Sequence, residues 1–154
     1  AVERLVAQGT ADGLLRPRTR TEVARLAVGG LGARVVGSGH LAGIVSLDAD
    51  TYRGQGLGEV ACLYTVSRFS GAGAGGQLID GLLDQARDLG LDSVFAVTVS
   101  EVAAAFFARK GFVEVPHDAI PRAKWAGYDP VRLDAARAFV HAIEPAAEQV
   151  SLGF

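Results

Sequence analysis

The fold is decided by the stretch Glu59-Val-Ala-Cys-Leu-Tyr-Thr-Val66-Ser-Arg-Phe-Ser70-Gly-Ala-Gly-Ala-Gly-Gly76. Its first eight residues are mostly apolar, with β-branched and aromatic members, and are short enough for a buried strand. Residues 67–76 are rich in glycine and predict a bend. Beyond them a helix is expected over 77–89, because the apolar residues recur at helical spacing. These residues are Leu78, Ile79, Leu82, Leu83, Ala86 and Leu89.

The pattern of strand and helix continues toward the C-terminus. Gly90 is a natural stop for the helix. Ser93–Val99 has the strongest strand pattern in the chain, Val102–Lys110 predicts a short helix, and Phe112–Val115 predicts another strand. This alternation from residue 59 to residue 115 indicates an α/β or mixed α+β sheet.

Toward the N-terminus, helical spacing predicts helices over 3–9 and 19–27. Residues 27–47 predict strands, with a reversal at Gly29-Gly30 and Gly32, followed by one extended run from Ala33 to Leu47. Residues 48–58 are polar and contain glycine, which predicts a loop or a long hairpin connection.

The last forty residues leave two interpretations open. Asp129-Pro130 is typical of a helix start, with an N-cap residue followed by proline at the first helical position. Ala138–Ile143, just before Pro145, is equally compatible with a closing strand. Periodicity does not decide between them.

Composition excludes several classes. The 154 residues are 49% hydrophobic and 21% charged, with a net charge of -2, so disorder is excluded and a general nucleic-acid binder is not indicated. One cysteine allows no internal disulfide, and the three histidines are too scattered for a metal site. No apolar run approaches the roughly 18 residues of a membrane span. We expect a soluble, cytoplasmic, single domain over 1–154, and the missing methionine suggests that an upstream segment is absent.

Two glycine-rich segments compete as a phosphate site. Residues 52–58 run into a strand, whereas residues 70–76 run into a helix, whose first N–H groups are unpaired and attract anions. The second segment is therefore favoured, although a simple tight turn is the alternative. The predicted cofactor-binding residues here are Ser70, Gly71, Gly73, Ala74, Gly75 and Gly76.

The motif Gly71-x-Gly73-x-x-Gly76 also fits a dinucleotide-binding loop, with Glu101 as a ribose ligand. In that fold the first glycine follows the strand almost at once, whereas Ser67–Ser70 intervene here. A dinucleotide-binding protein is therefore the lesser alternative.

The strand and glycine loop resemble the acetyl-coenzyme A site of GCN5-related N-acetyltransferases (GNAT), whose loop reads [Q/R]-x-x-G-x-[G/A]. Gly73 and Gly75 fill the small positions, and Ser70 stands where Gln or Arg is usual. Phe106–Phe112 is similar to the family's F-Y-x-x-x-G-F element. Phe107 stands where many members carry a tyrosine that acts as a general acid. The resemblance implies a mixed, mostly antiparallel α+β sheet flanked by helices, with acetyl-CoA as co-substrate and no metal.

Within this superfamily, three stretches are similar to the acetyltransferase domain of bacterial N-acetylglutamate synthases. They are Asp12–Arg20, Gly58–Cys62, and Ala123-Lys124 with Tyr128-Asp129 and Arg132. The resemblance implies amino-acid acetylation, as in arginine biosynthesis. The usual first strand would precede residue 1, and residues 42–56 contain an insertion. The arginine of the synthases' T-T-R-[TS] segment is missing at Ser100–Ala103, which puts glutamate itself in doubt.

The reaction requires a neutral amine, a polarised carbonyl and a proton for the leaving thiolate. An amine with a pKa near about 8 needs only a modest base. Glu59 is the candidate base, with an ordinary glutamate at a strand edge as the alternative. Ser100 and Tyr64 are candidate proton donors for the leaving thiolate. The alternatives are that Ser100 only caps a helix and that Tyr64 is only an aromatic residue of the core.

Binding roles follow the same resemblance. Backbone groups of Leu63, Tyr64 and Thr65 would pair with the pantetheine arm, and Phe107 would lie at the cofactor. Acceptor-binding candidates are Arg18, Cys62, Lys124 and Arg132. The Arg18 guanidinium could bind a carboxylate through two hydrogen bonds; the alternative is that Arg18 is an ordinary solvated arginine on the surface. For Cys62 the alternative is a buried, small apolar residue without a binding role.

We therefore predict an acetyl-CoA-dependent N-acetyltransferase that acts directly on a small amine, without a covalent enzyme intermediate. The alternative is a non-catalytic acyl-CoA-binding module that keeps the same shape. The expected partners are the small amine acceptor and CoA, with no nucleic acid and no membrane; a homodimer is left open.

Overall fold

The computed structural model describes residues 31–34, 41–65 and 74–145. The helices predicted over 3–9 and 19–27, and the reversal at Gly29-Gly30, lie outside these residues. The strands are β1 (Leu31–Arg34), β2 (Leu41–Asp48), β3 (Leu57–Thr65), β4 (Ser93–Thr98), β5 (Val113–Val115) and β6 (Arg137–Ala142). The helices are α1 (Ala74–Asp88), α2 (Glu101–Arg109) and α3 (Pro130–Ala135), with 3-10 turns at Arg53–Gln55, His117–Ala119 and Arg122–Trp125.

The strands form a sheet in the order β1-β2-β3-β4-β6-β5. β1 and β2 are antiparallel, as are β4 and β6 and also β5 and β6. β3 and β4 are parallel, and α1 connects them in the chain. The predicted fold class, a mixed and mostly antiparallel α+β sheet with helices, is confirmed.

Two compact units are distinguished within the chain. The first comprises Ala1–Asp48 and Val60–Gln85, and the second comprises Ala49–Glu59 and Ala86–Phe154. The boundaries fall inside β3 and α1, so each of these elements contributes residues to both units. The assignment of 1–154 to one domain stays a prediction.

In the first unit, the expected single extended run from Ala33 to Leu47 is wrong. β1 lies antiparallel to β2, with Leu31 opposite Val45 and Gly32 opposite Ile44, so the chain reverses between the two strands. Gly32 is therefore a strand residue and makes no turn. Both β1 and β2 have the amino-acid composition of a strand, so strand propensity alone could not locate the reversal between them.

The helix α1 begins earlier than expected. Ala74, Gly75 and Gly76 belong to its first turn, whereas the sequence predicted a start at residue 77. These small residues add nothing to the hydrophobic period, which is why the pattern missed them. Further along, the side chains of Leu78, Ile79, Leu82 and Ala86 are buried, as the period predicts.

The predicted stop at Gly90 is confirmed. Its φ is +74°, a left-handed conformation that suits glycine. Two backbone N–H groups at this position donate hydrogen bonds to carbonyl groups of the last helical turn: Gly90 N to Arg87 O and Leu91 N to Ala86 O. The chain then enters β4, and the predicted strand–helix–strand order of β4, α2 and β5 is confirmed.

Both interpretations of the C-terminal region hold, one after the other. The Asp129 side chain accepts a hydrogen bond from Arg132 N at 2.7 Å, and Pro130 occupies the first turn of α3. The helix is only six residues long, and β6 follows from Arg137. Sequence periodicity failed here because each element is too short to show a period.

A compact hydrophobic cluster lies in the second unit. Tyr52, Phe95, Ile120 and Ala138 are buried together, and the rings of Tyr52 and Phe95 have centroids 5.4 Å apart. Burying an aromatic side chain of this size contributes about 1.5–3 kcal/mol. Trp125, which is partly buried, packs against the same cluster, so the 3-10 turn at 122–125 is anchored to the sheet.

Candidate active site

Glu59 is a buried carboxylate on an inner strand. It lies in β3 opposite Phe95 of β4, and only 9% of the residue is exposed. β3 has neighbours on both sides in the sheet, so the alternative interpretation as an ordinary glutamate at a strand edge is wrong. Burying a carboxylate is costly unless it is paired or hydrogen-bonded.

The partner of Glu59 is Lys124. The Lys124 ammonium forms an ion pair with Glu59 Oε2, and the two side chains are 21% and 11% exposed. The sequence predicted each residue separately, as a base and as an anchor for a carboxylate, but gave no signal that they meet. The pair combines a potential proton acceptor with a cation that retains N–H donors for another anion.

The turn that carries Lys124 is held by two rings. His117 and Trp125 are stacked, with centroids 4.4 Å apart, and Trp125 Nε1 donates to His117 O at 3.0 Å. His117 Nε2 lies 2.7 Å from Ala136 O. A carbonyl oxygen only accepts, so Nε2 carries the proton and donates. Neither ring was predicted as a site residue, because their contacts depend on tertiary structure.

Tyr128 connects Lys124 with Arg132. Its ring lies edge-on to Trp125, with centroids 5.3 Å apart. Lys124 Nζ is 5.9 Å from the centroid of the Tyr128 ring, and Arg132 Cζ is 5.3 Å from it. Cations at such distances are attracted to aromatic rings. Two predicted acceptor-binding residues therefore share one ring.

Ser100 caps α2. Its Oγ accepts a hydrogen bond from Ala103 N at 3.2 Å, and its own N donates to Thr98 Oγ1 at 3.0 Å. The capping role offered as an alternative is confirmed. Since an Oγ that accepts one hydrogen bond keeps its own proton, a donor role is compatible with the cap and stays a prediction.

Phe107 and Tyr64 are core residues. Phe107 is 4% exposed, and its ring lies against those of Phe106, Phe112 and Phe139 at centroid distances of 5.6, 5.2 and 6.0 Å. Tyr64 in β3 is 3% exposed. Packing explains both side chains, and their assigned roles at a cofactor or in proton transfer stay predictions.

The remaining cofactor candidates are described only in part. Leu63 and Thr65 lie in β3, together with Cys62, and Leu63 is half-buried. Arg18, Ser70, Gly71 and Gly73 lie outside the described residues. Ala74, Gly75 and Gly76 form the start of α1 as described, and the first turn of that helix contains no acidic residue. Unpaired N–H groups are expected at this position.

An arginine joins two acidic side chains beside Ser100. Arg137 donates to Glu114 at 2.7 and 3.0 Å and to both carboxylate oxygens of Glu101 at 3.0 and 3.1 Å. The hydrogen bond from Arg137 lowers the pKa of Glu114, and the two carboxylates raise the pKa of Arg137. Glu101, the ribose ligand of the dinucleotide alternative, is thus engaged with Arg137.

The described part of the chain contains neither a group of potential metal ligands nor a helix that could span a membrane. Within it, no three His, Cys, Asp or Glu side chains are grouped so that they could hold a metal ion. No helix among residues 74–145 has the length and apolarity needed to cross a membrane.

Comparison with known proteins identifies a family. Residues 12–112 match the family model of the acetyltransferase (GNAT) family. Amino-acid acetyltransferases from Neisseria meningitidis serogroups A and B are 29% identical over 90 residues, which is 58% of this chain and 20% of theirs. The chain thus spans about a fifth of the length of these curated relatives.

Solved structures share the fold. N-acetylglutamate synthase from Neisseria gonorrhoeae, complexed with coenzyme A and N-acetyl-glutamate, matches with a TM-score of 0.75 and 22% identity, over 93% of this chain and 32% of that one. Rv2747 from Mycobacterium tuberculosis, in complex with CoA, matches with a TM-score of 0.72 and 20% identity, over 93% of this chain and 94% of that one. Tetrahymena GCN5 matches with a TM-score of 0.66 and 16% identity, over 96% of this chain and 87% of that one.

Proposed function

The chain belongs to the acetyltransferase (GNAT) family, and from that premise we propose that it transfers the acetyl group of acetyl-CoA to the amine of a small acceptor. An acceptor with a carboxylate, such as an amino acid, is favoured by Lys124 beside Glu59 and by Arg132, which lies over the Tyr128 ring. Glutamate enters as a candidate through the likeness to amino-acid acetyltransferases and N-acetylglutamate synthase.

One observation carries the proposal: Glu59 is nearly buried on an inner strand and is paired with Lys124. A buried carboxylate is not required for stability alone, since replacing a buried ion pair by well-packed apolar residues is often neutral or stabilising. Glu59 is the proposed general base, acting directly or through a water molecule.

The start of α1 fits an anionic cofactor. Ala74, Gly75 and Gly76 have no side chain beyond a methyl group, so none of them covers the backbone N–H groups of this turn with a bulky side chain, and no acidic residue of the turn opposes an anion. The first turn of the helix would hold the diphosphate of CoA, with Ser70, Gly71 and Gly73 before it. Backbone groups of Leu63, Tyr64 and Thr65 would pair with the pantetheine arm.

When bound, acetyl-CoA supplies an activated thioester carbonyl. Glu59 takes a proton from the acceptor amine, which is about nine-tenths protonated at pH 7 if its pKa is near 8. The neutral amine nitrogen would then attack the carbonyl carbon, the carbon–sulfur bond would break, and the nitrogen would lose its remaining excess proton to water. Ser100 or Tyr64 would give a proton to the leaving thiolate and regain one from water, and no covalent enzyme intermediate would form.

The acceptor carboxylate is proposed to bind at the cations near Tyr128. Lys124 has N–H donors beyond the one that faces Glu59, and Arg132 offers a planar guanidinium for bidentate binding. Arg18 and Cys62 are further candidates on the strength of the resemblance. An acceptor held by Lys124 has its amine near Glu59 because the two side chains are in contact.

The test measures thiol release from acetyl-CoA with each of the twenty amino acids. We expect acceptor-dependent release, which falls at least about a hundredfold in Glu59→Gln, the range typical of a lost general base. Glu144→Gln makes the same chemical change at an exposed position and should keep the wild-type rate. Equal rates in the two variants would contradict the assigned base.

A second candidate is a non-catalytic module that binds acyl-CoA. Phe107 favours it, because this buried side chain has no hydroxyl where many family members carry a tyrosine acid. The same assay distinguishes the two functions. Binding of acetyl-CoA with no thiol release for any amino acid would support the module and contradict the enzyme.

A further inference from the structure

An apolar cavity that is largely open to solvent lies at the start of α3. Its volume is about 520 Å³, and its lining consists of Val99, Asp129, Pro130, Val131, Arg132 and Ala135. Four of these six residues are apolar. Val99 is 44% exposed and Val131 is 81% exposed, although both are strongly hydrophobic. The volume lies within the range of about 300–1,000 Å³ typical of small-molecule sites.

The cavity lining contains one carboxylate and one guanidinium. The Asp129 carboxylate accepts a hydrogen bond from Arg132 N at the start of α3. The Arg132 guanidinium lies over the Tyr128 ring, and no ion pair joins it to a carboxylate of residues 31–34, 41–65 or 74–145. A guanidinium beside an apolar surface suits a ligand that has a carboxylate and an apolar group.

Two connections link the cavity to the reacting groups. Val99 directly precedes Ser100, a proposed proton donor. Arg132 shares the Tyr128 ring with Lys124, at 5.3 and 5.9 Å from its centroid, and Lys124 contacts Glu59. A molecule whose carboxylate binds at Arg132 is therefore separated from Lys124, the partner of Glu59, by the Tyr128 ring.

We propose that this cavity receives the acceptor's side chain, and that the acceptor is an α-amino acid with a branched or aromatic apolar side chain rather than glutamate. The inference rests on the proposed function and narrows its substrate. A second carboxylate would find no hydrogen-bond donor on the side chains of Val99 and Val131 and would be repelled by the charge of Asp129, and both effects act against glutamate.

The discriminating measurement is kcat/KM for leucine, phenylalanine and glutamate in the thiol-release assay. We expect the apolar acceptors to exceed glutamate by about tenfold or more, in the range of discrimination that side-chain pockets achieve. Val131→Asp should raise KM for leucine about tenfold. Its matched control is Val113→Asp, which changes an exposed valine of β5 outside the cavity and should leave KM unchanged.

The possible failures are distinguishable. A higher kcat/KM for glutamate than for leucine, or equal KM values in the two aspartate variants, would overturn the apolar acceptor while leaving the acetyltransferase intact. Absence of thiol release with every amino acid would overturn the proposed function and this inference together. Arg132→Gln should raise KM for leucine while Val113→Asp does not, and an unchanged KM would remove the carboxylate anchor.

Discussion

The carboxylate of Glu59 and the ammonium of Lys124 form an ion pair in which neither side chain is more than about a fifth exposed. The pair joins an inner strand of the sheet to a 3-10 turn that lies far along the chain. Removing one member of a buried pair leaves the other charge without compensation, which costs more than the intact pair contributes. Stability and the proposed catalysis are therefore coupled at these two residues.

The first prediction concerns this coupling. Lys124→Met should destabilise the protein by about 2 kcal/mol, below the 3–5 kcal/mol typical of fully buried pairs because Lys124 is partly exposed. The double variant Glu59→Gln/Lys124→Met should lose less than the sum of the single variants. Urea unfolding of all four proteins measures the cycle. Additive losses would show that the two side chains do not interact.

The second prediction concerns acid stability. Arg137 lowers the pKa of Glu114 in the folded state, so the associated stabilisation is present above the unfolded pKa of the carboxyl and is lost as pH falls through the folded value. Arg137→Gln should therefore have a lower Tm than wild type at pH 7, with a difference that shrinks on acidification toward pH 3. Thermal unfolding across this range measures it.

Arg53→Gln is the control for that series. Arg53 lies 4.0 Å from Asp50, and both side chains are more than half exposed. Exposed pairs of this kind contribute little, so its Tm should follow that of wild type at every pH. A Tm difference for Arg137→Gln that stays constant from pH 7 to pH 3 would show that Glu114 titration is not its cause.

The third prediction separates the two roles of Ser100. Ser100→Ala removes the cap of α2 and should cost about 1 kcal/mol, whereas Ser100→Asp keeps an accepting oxygen for Ala103 N and should retain stability. At pH 7 the aspartate has no hydroxyl proton to donate. We expect thiol release to slow in both variants. Wild-type turnover by Ser100→Asp would restrict Ser100 to capping.

The fourth prediction concerns Phe107, which the sequence resemblance matches to a tyrosine that acts as a general acid in many family members. Its ring is packed among Phe106, Phe112 and Phe139, so Phe107→Tyr should bury a hydroxyl among apolar rings and cost about 1–3 kcal/mol. Activity should not rise. Denaturant unfolding and the rate of thiol release measure the two effects. A faster and equally stable variant would show that this position faces the reacting groups.

Local chemistry was enough to predict much of the fold. The strand composition of β3 and β4, the apolar period of α1, the stop at Gly90 and the cap at Asp129 are all properties of neighbouring residues, and the structure contains each of them. The reversal between β1 and β2 was missed, because it depends on which strands pair.

The candidate site was predicted one residue at a time. Glu59, Lys124 and Arg132 were each named from the resemblance, but the contact of Glu59 with Lys124 joins residues from distant parts of the chain and left no local signal. The stacking of His117 on Trp125 was missed for the same reason. Single-residue roles can be inferred from residue type, whereas pairings require the folded chain.

The most direct measurement is a product analysis in which the protein is incubated with acetyl-CoA and a mixture of amino acids. Free thiol is counted, and N-acetylated amino acids are quantified by mass spectrometry. We expect one acetylated amine for each thiol released, with both absent when Glu59 is replaced by Gln. Release of thiol without any acetylated amine, or the absence of both products from the wild-type protein, would contradict acetyl transfer to an amine.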